Sequence, residues 1–78
     1  MPKLPRITAK KALTALLGVG FYIHHQTGSH INIRHRTKKH LHIIIPMHSK
    51  KDLALKTLKS IITQSELTVG EFVKILKG

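Results

Sequence analysis

The sequence contains no cysteine and no tryptophan, and only three of its 78 residues are acidic. The absence of cysteine excludes disulfides, zinc–thiolate sites and a cysteine nucleophile, and it is typical of proteins from reducing compartments. No apolar run approaches the roughly 20 residues that span a bilayer. The segment Met1–Arg6 is not followed by the apolar stretch of a signal peptide. We therefore expect a cytoplasmic protein that does not bind a membrane.

The scarcity of acidic residues leaves a strong excess of positive charge. Fourteen Lys and Arg residues give the chain a formal net charge of +11 and an isoelectric point of about 10.7. Such a surface attracts polyanions, and nucleic acid is the leading candidate. A chain of this length buries only about 60% of its unfolded surface. Any chemistry is therefore expected on an open face, with a large partner.

Hydrophobic periodicity predicts one helix followed by three strands. Thr8 is the expected N-cap of the helix, and Gly18 is its expected C-terminal glycine. From Phe21 the period changes to two, which predicts an antiparallel meander with short turns. The residues predicted to face the core are Phe21, Ile23, Ile31, Ile33, Leu41, Ile43 and Ile45. The residues predicted on the other face are Tyr22, His24, His30, Asn32, Arg34, His40 and His42.

Two further helices are predicted after the strands. Ser49 is a candidate N-cap for the first of them, although residues 50–54 could still be loop. Its apolar stripe consists of Leu55, Leu58, Ile61 and Ile62. Thr68 and Glu71 form a capping box before the last helix, whose apolar positions are Val69, Phe72, Val73 and Leu76. The sequence therefore predicts an α+β fold, α-β-β-β-α-α, with helices on one face of a three-stranded antiparallel sheet, in a single domain over residues 1–78.

The triplet Gly28–Ser29–His30 lies at the mouth of the predicted hairpin. A histidine after a small, flexible pair can stand clear of the sheet while its backbone stays fixed. RNA brings its own nucleophile, the 2′-hydroxyl, so its cleavage needs a proton acceptor, a proton donor and cations on the phosphate. Imidazole titrates near neutral pH and suits the proton roles. The nearby cations are Arg34, Arg36, Lys38 and Lys39. Alone, however, such a triplet is more often an ordinary turn.

The seven histidines of the chain leave a metal site as an alternative. His40 and His42 share a predicted strand face, and His24 or His30 could lie across from them, so that three nitrogens converge. Few carboxylates are present to complete or orient such a ligand set. We therefore expect neither a metal nor any other cofactor.

Taken together, several segments resemble the HicA-type mRNA interferase toxins of bacterial type II toxin–antitoxin systems. The resemblance spans nearly the whole chain. The matching residues are Leu4–Thr8 with Lys10, Gly20–Phe21, Gly28–His30, Pro46–His48, Lys51, Leu53, Thr57–Leu58, Ile61–Ile62 and Glu71–Phe72. The chain departs from the family at Lys56, where glycine is common, and it has fewer acidic residues in the last helices.

The resemblance implies a fold like that of a double-stranded RNA-binding domain, ribosome-independent cleavage of mRNA, and inhibition by a HicB-type antitoxin. It places the catalytic histidine at His30. The residues expected to contact RNA are Gly28, Ser29, Arg34, Arg36, Lys38, Lys39 and Lys10. The alternative is a non-catalytic double-stranded RNA-binding domain, because Ser49–Lys51 before a helix is similar to the phosphate-contacting segment of such domains. Neither hypothesis requires a small-molecule cofactor.

Overall fold

The computed structural model describes residues 4–47 and 51–77. The elements are α1 (Ala9–Leu17), β1 (Phe21–Thr27), β2 (His30–His35), β3 (His42–Pro46), α2 (Leu55–Gln64) and α3 (Val69–Lys77). The strands form one antiparallel sheet in the order β1-β2-β3. The predicted α+β class and the order α-β-β-β-α-α are therefore confirmed. None of the helices in the described residues is long and apolar enough to cross a membrane.

The hydrophobic core lies between the helices and one face of the sheet. Six of the seven strand residues predicted to face the core are buried: Phe21, Ile31, Ile33, Leu41, Ile43 and Ile45. The helices complete the core with Ala12, Leu13, Leu16, Leu58, Ile61, Ile62 and Phe72, among others. Because α1 contacts β1 and β3, and α2 contacts β3, this face is covered. The other face of the sheet, which we call the outer face, stays open.

Ile23 and Leu55, which the sequence pattern places at core-facing positions, are not buried, and neither is Leu17 at the end of α1. Ile23 is paired with Ile33 in the sheet, but 47% of its surface is exposed. It lies on the edge strand β1, where the helical layer does not cover it. Leu17 and Leu55 are 39% and 40% exposed, because they are the last residue of α1 and the first residue of α2. Apolar residues at the ends of helices or on the edge strand are therefore less buried than those at the centre of the layer.

The pairing of β1 with β2 shifts by one residue at a β-bulge. Ile23 pairs with Ile33, but the next pair is His25 with Asn32, and His24 has no partner. The predicted alternation of β1 therefore fails after Ile23. His25, which had no place on the predicted outer face, takes the position beside Asn32. A bulge of this kind bends the strand and redirects a side chain.

The helix termini follow the predicted capping in two of the cases. The Thr8 hydroxyl accepts a hydrogen bond of 3.3 Å from the Lys11 N–H. In the capping box, the Thr68 N–H donates to Glu71 at 2.8 Å, and the Glu71 N–H donates to the Thr68 hydroxyl at 3.1 Å. Both N-terminal predictions are confirmed. The proposed cap Ser49, together with His48 and Lys50, lies outside the described residues.

Gly18 directly follows α1 as its C-cap, as predicted, but it does not adopt the left-handed conformation that glycine often has at this position. Its φ angle is −74°, and its N–H still bonds to the carbonyls of the preceding turn. The positive φ occurs at Gly20 instead, where it is +103°. The helical geometry thus continues past α1, and the glycine that is needed for its backbone conformation comes two residues later. At the second helix, α2 begins at Leu55 after Ala54, whose side chain provides no cap.

Candidate active site

The side chains of the outer face form three rows that run across the strands. Each row contains one side chain from each of the three strands. Antiparallel partners point to the same side of a sheet, so the register defines these rows. The first row consists of Thr27, His30 and Pro46, the second of His25, Asn32 and Ile44, and the third of Tyr22, Arg34 and His42. Three imidazoles therefore share an open, polar surface.

His30 is exposed at the start of β2 and is held by a two-residue turn. Gly28 has a φ of +56°, whereas Ser29 does not have a positive φ, which is the sign pattern of a type II′ hairpin turn. The Ser29 carbonyl accepts a hydrogen bond of 2.6 Å from the Met47 N–H, which ties the turn to the chain after β3. The backbone of His30 is thus fixed while its side chain faces solvent.

The second row brings another histidine close to His30. His25 lies opposite Asn32 and is a diagonal neighbour of His30 across β1 and β2. Diagonal neighbours in such a pair are about 7–8 Å apart. The Nε2 atom of His25 lies 2.7 Å from the hydroxyl of Thr27, which is itself the direct partner of His30. Sequence reasoning missed His25, because two adjacent histidines in a strand do not reveal which one follows the bulge.

The cations predicted beside His30 lie elsewhere. Arg36, Lys38 and Lys39 belong to the loop between β2 and β3, which starts at the opposite end of β2 from His30. Because a strand rises about 3.3 Å per residue, the two ends of β2 are roughly 16 Å apart. The structure therefore separates His30 from this cationic loop, contrary to their expected grouping in one site. One phosphate group cannot contact both.

The half-buried side chain of His35 holds the cationic loop in place. Its Nδ1 accepts hydrogen bonds from the N–H groups of Thr37 at 3.2 Å and Lys38 at 3.1 Å. Its Nε2 therefore carries the proton and donates to the Val19 carbonyl at 3.0 Å. The ring packs edge-on against Phe21, with 4.8 Å between ring centroids. The sequence did not indicate this role, because the partners of His35 come from distant segments.

The remaining predicted RNA contacts fall into two groups. Arg34 lies in the third row of the outer face, next to Tyr22. The guanidinium carbon of Arg36 lies 5.6 Å from the centre of the Tyr22 ring, which is a cation–π geometry. Lys10 is exposed on α1, and α1 packs on the covered face of the sheet. Lys10 is therefore not brought together with the other candidates.

Two further histidines have partners of their own. His40 was predicted on a strand, but it lies in the turn before β3, and its Nε2 bonds to Glu66 at 2.8 Å. This hydrogen bond is the main cause of a lowered pKa at Glu66. His42 Nε2 lies 3.0 Å from the side-chain oxygen of Asn32. Within residues 4–47 and 51–77, no group of three or more histidines or carboxylates is placed to hold a metal ion. The convergence that the metal alternative requires is not found there.

The fold and the outer face define a small, strongly basic α+β protein with an open histidine-bearing surface, suited to a large anionic partner. A family model described as the HicA toxin of bacterial toxin–antitoxin systems matches residues 9–67, which is more than half of the chain. The chain belongs to the HicA toxin family. It is the toxin of a toxin–antitoxin system, and toxins of this family pair with an antitoxin. A search of curated proteins finds no match to this sequence.

Proposed function

We propose that this toxin is an mRNA interferase, an endoribonuclease that uses His30 and the 2′-hydroxyl of its substrate. The observation that carries the proposal is the position of His30, an exposed imidazole on a fixed backbone at the edge of an open face. An imidazole in this setting can reach a phosphodiester of a long substrate without a pocket. The net charge of +11 provides the attraction for RNA.

The proposed reaction is an internal transesterification. The 2′-oxygen attacks the adjacent phosphorus as its proton passes to a base, and the bond from phosphorus to the 5′-oxygen breaks as that oxygen receives a proton. The products are a 2′,3′-cyclic phosphate and a 5′-hydroxyl. His30 performs one of the two proton transfers. Ser29 and the backbone of Gly28 adjoin His30 in the turn, and we propose that they place the scissile phosphate.

The cations bind the RNA on one side of the cleaved bond. Arg34 lies along β2 from His30, and Arg36, Lys38 and Lys39 follow in the loop beyond. We propose that they contact phosphates away from the scissile one, because of the length of β2. Lys10, on the helical side, adds to the long-range attraction for RNA.

We propose a HicB-type antitoxin as the inhibitor of this activity. An open cationic face has no pocket to block, so a partner inhibits it most directly by covering it with acidic and polar groups. Antitoxin and RNA should then compete. The measurement is RNA affinity of the toxin alone and of the purified complex, and equal affinities would contradict inhibition by coverage.

The test of the proposed function compares the wild-type protein with His30→Ala on an end-labelled RNA. The wild type should cleave in the presence of EDTA and leave 2′,3′-cyclic phosphate ends. His30→Ala should fold and bind RNA but fail to cleave it. Wild-type protein that binds RNA without cleaving it would instead support the non-catalytic RNA-binding alternative. Activity that is lost in EDTA and restored by zinc would support the metal alternative.

A further inference from the structure

The β-bulge of β1 brings a second imidazole to the neighbourhood of His30. We propose that His25 is the second proton-transfer group of the reaction, so that one of the two histidines accepts the proton of the 2′-hydroxyl and the other donates a proton to the 5′-oxygen. This inference rests on the proposed function and names a further catalytic residue for it.

The sheet register places the backbone positions of the two histidines at a suitable separation. His25 and His30 are diagonal neighbours on the outer face, about 7–8 Å apart. A proton donor and a proton acceptor must each come within about 2.6–3.2 Å of their oxygens, which lie on opposite sides of the phosphorus. The diagonal spacing is wider than that of directly opposite residues, whose Cβ atoms are about 4.5–5.5 Å apart, and so leaves more room for a phosphate group between the two side chains. The bulge creates this diagonal, because it sets His25 opposite Asn32.

Thr27 orients the ring of His25. Its hydroxyl lies 2.7 Å from His25 Nε2, and its branched side chain has few alternative rotamers. A hydroxyl can donate a hydrogen bond or accept one, so this contact persists whether or not Nε2 carries a proton. The ring's other nitrogen, Nδ1, forms no hydrogen bond among the described residues, so Nε2 makes the only hydrogen bond of the ring there. Thr27 is thus a positioning residue, placed in the same row as His30.

The other histidines of the described residues are less suited to the role. Both ring nitrogens of His35 are bonded to backbone groups of the protein. His40 is bonded to Glu66, and His42 lies two rows from His30 and is bonded to Asn32. His24 has no partner in the register of the sheet. His25 is the one that combines the neighbourhood of His30 with an orienting hydrogen bond.

The reaction balances with these two groups alone. The electron pair of the 2′-oxygen forms the new bond to phosphorus, and the pair of the broken bond leaves with the 5′-oxygen. One histidine gains a proton and the other loses one, and exchange with water restores both. The charged and titratable groups that face His25 are His30 and Arg34 on β2 and His42 on β3, since the helices pack on the other face.

The experiment measures kcat, KM and the pH profile of cleavage for wild type, His25→Ala and the matched control His24→Ala. His25→Ala should lower kcat by about 10²- to 10⁴-fold and remove one limb of the bell-shaped profile. His24→Ala, which removes an imidazole from the adjacent position, should keep the wild-type profile. Thr27→Val should lower kcat less than His25→Ala and should leave both limbs in place.

A substrate with sulfur in place of the bridging 5′-oxygen assigns the role. Its leaving group departs without a proton, so cleavage of this substrate by His25→Ala should return to the wild-type rate if His25 is the proton donor. If it stays slow while His30→Ala recovers, His25 is the acceptor. Either result supports the division of the two proton transfers between His25 and His30, because the two variants then respond to the sulfur substitution in opposite ways.

Two outcomes would overturn the inference. The first is that His25→Ala keeps the wild-type kcat and both limbs of the pH profile. The second is that His25→Ala raises only KM, which would make His25 an RNA contact. If the wild type cleaves and His30→Ala does not, these outcomes contradict only the role of His25. If the wild type itself does not cleave, the proposed function fails and the inference with it. Melting curves of each variant verify folding.

Discussion

Gly20 lies between α1 and β1, and its replacement by alanine should be unusually costly for two separate reasons. The backbone has a φ of +103°, which side-chain-bearing residues rarely adopt. In addition, a Cβ atom would lie 2.6 Å from Nε2 of His35 and 2.9 Å from its Cε1. The ring cannot move freely, because it is bonded to Val19 on one side and to the cationic loop on the other.

Gly28 provides a matched comparison, since it also has a positive φ, of +56°, but a Cβ there would meet nothing within 4 Å. Gly28→Ala should therefore lower the free energy of unfolding only through its strained backbone, by about 1–2 kcal/mol. Gly20→Ala should cost roughly 2–4 kcal/mol, because it adds the loss of the His35–Val19 hydrogen bond to the strained backbone. In a domain of this size each kcal/mol lowers Tm by about 4–8 °C.

The assay is thermal and urea unfolding of both variants, in the wild-type background and in the background of His35→Ala. Without the imidazole the steric conflict disappears, so Gly20→Ala should lower the free energy of unfolding less in the His35→Ala background than in the wild type. Gly28→Ala should cost the same in both backgrounds, since its site is distant from His35. If Gly20→Ala is equally costly with and without the imidazole, contact with His35 is not the reason for glycine at this position.

Three further predictions concern charge, pH and packing. Replacing Lys38 and Lys39 together by glutamine should reduce the slope of log affinity for RNA against log salt by up to about 2, whereas the same change at two lysines of α2 should leave it unaltered. The backbone N–H of Thr68 lowers the pKa of Glu71, so the capping box contributes its full stability above the pKa of an unfolded glutamate. That contribution should be lost as the pH falls through the lower folded value, and Glu71→Gln should remove this part of the pH dependence of unfolding. Ile33→Ala should lower the free energy of unfolding by about 2–5 kcal/mol because Ile33 is fully buried. His30→Ala, on the exposed face, should change it by less than about 0.5 kcal/mol in the same urea titration.

The strand β2 was predictable from the sequence, because Ile31 and Ile33 alternate with polar residues, and β3 was predictable as an isoleucine-rich segment that ends at Pro46. The capping box was also predictable, since it depends on residues only three positions apart. The course of β1 after Ile23 was not. A bulge changes the face of every later residue, and it is determined by pairing with β2 rather than by the residues of β1 themselves.

The candidate site was predictable to a similar extent. The exposed position of His30 follows from the turn before it, which is a local property. Its distance from the cationic loop follows from the length of β2, which separates residues that are close in the sequence. The roles of His25 and His35 depend on contacts formed by pairing and by tertiary packing. Alternation within a single strand contains no information about such contacts.

The bulge also affects how the sheet meets other molecules. β1 pairs with β2 on one side only, so the polar backbone groups of its other side are available to a strand from another chain. Exposed edges of this kind promote aggregation, and the exposed Ile23 adds an apolar surface there. His24 interrupts the edge between two short segments, Phe21–Ile23 and His25–Thr27. A foreign strand pairs with both segments only if it accepts a register shift like that of β2. The irregularity that directs His25 toward His30 therefore also limits the growth of the sheet from one toxin molecule to the next.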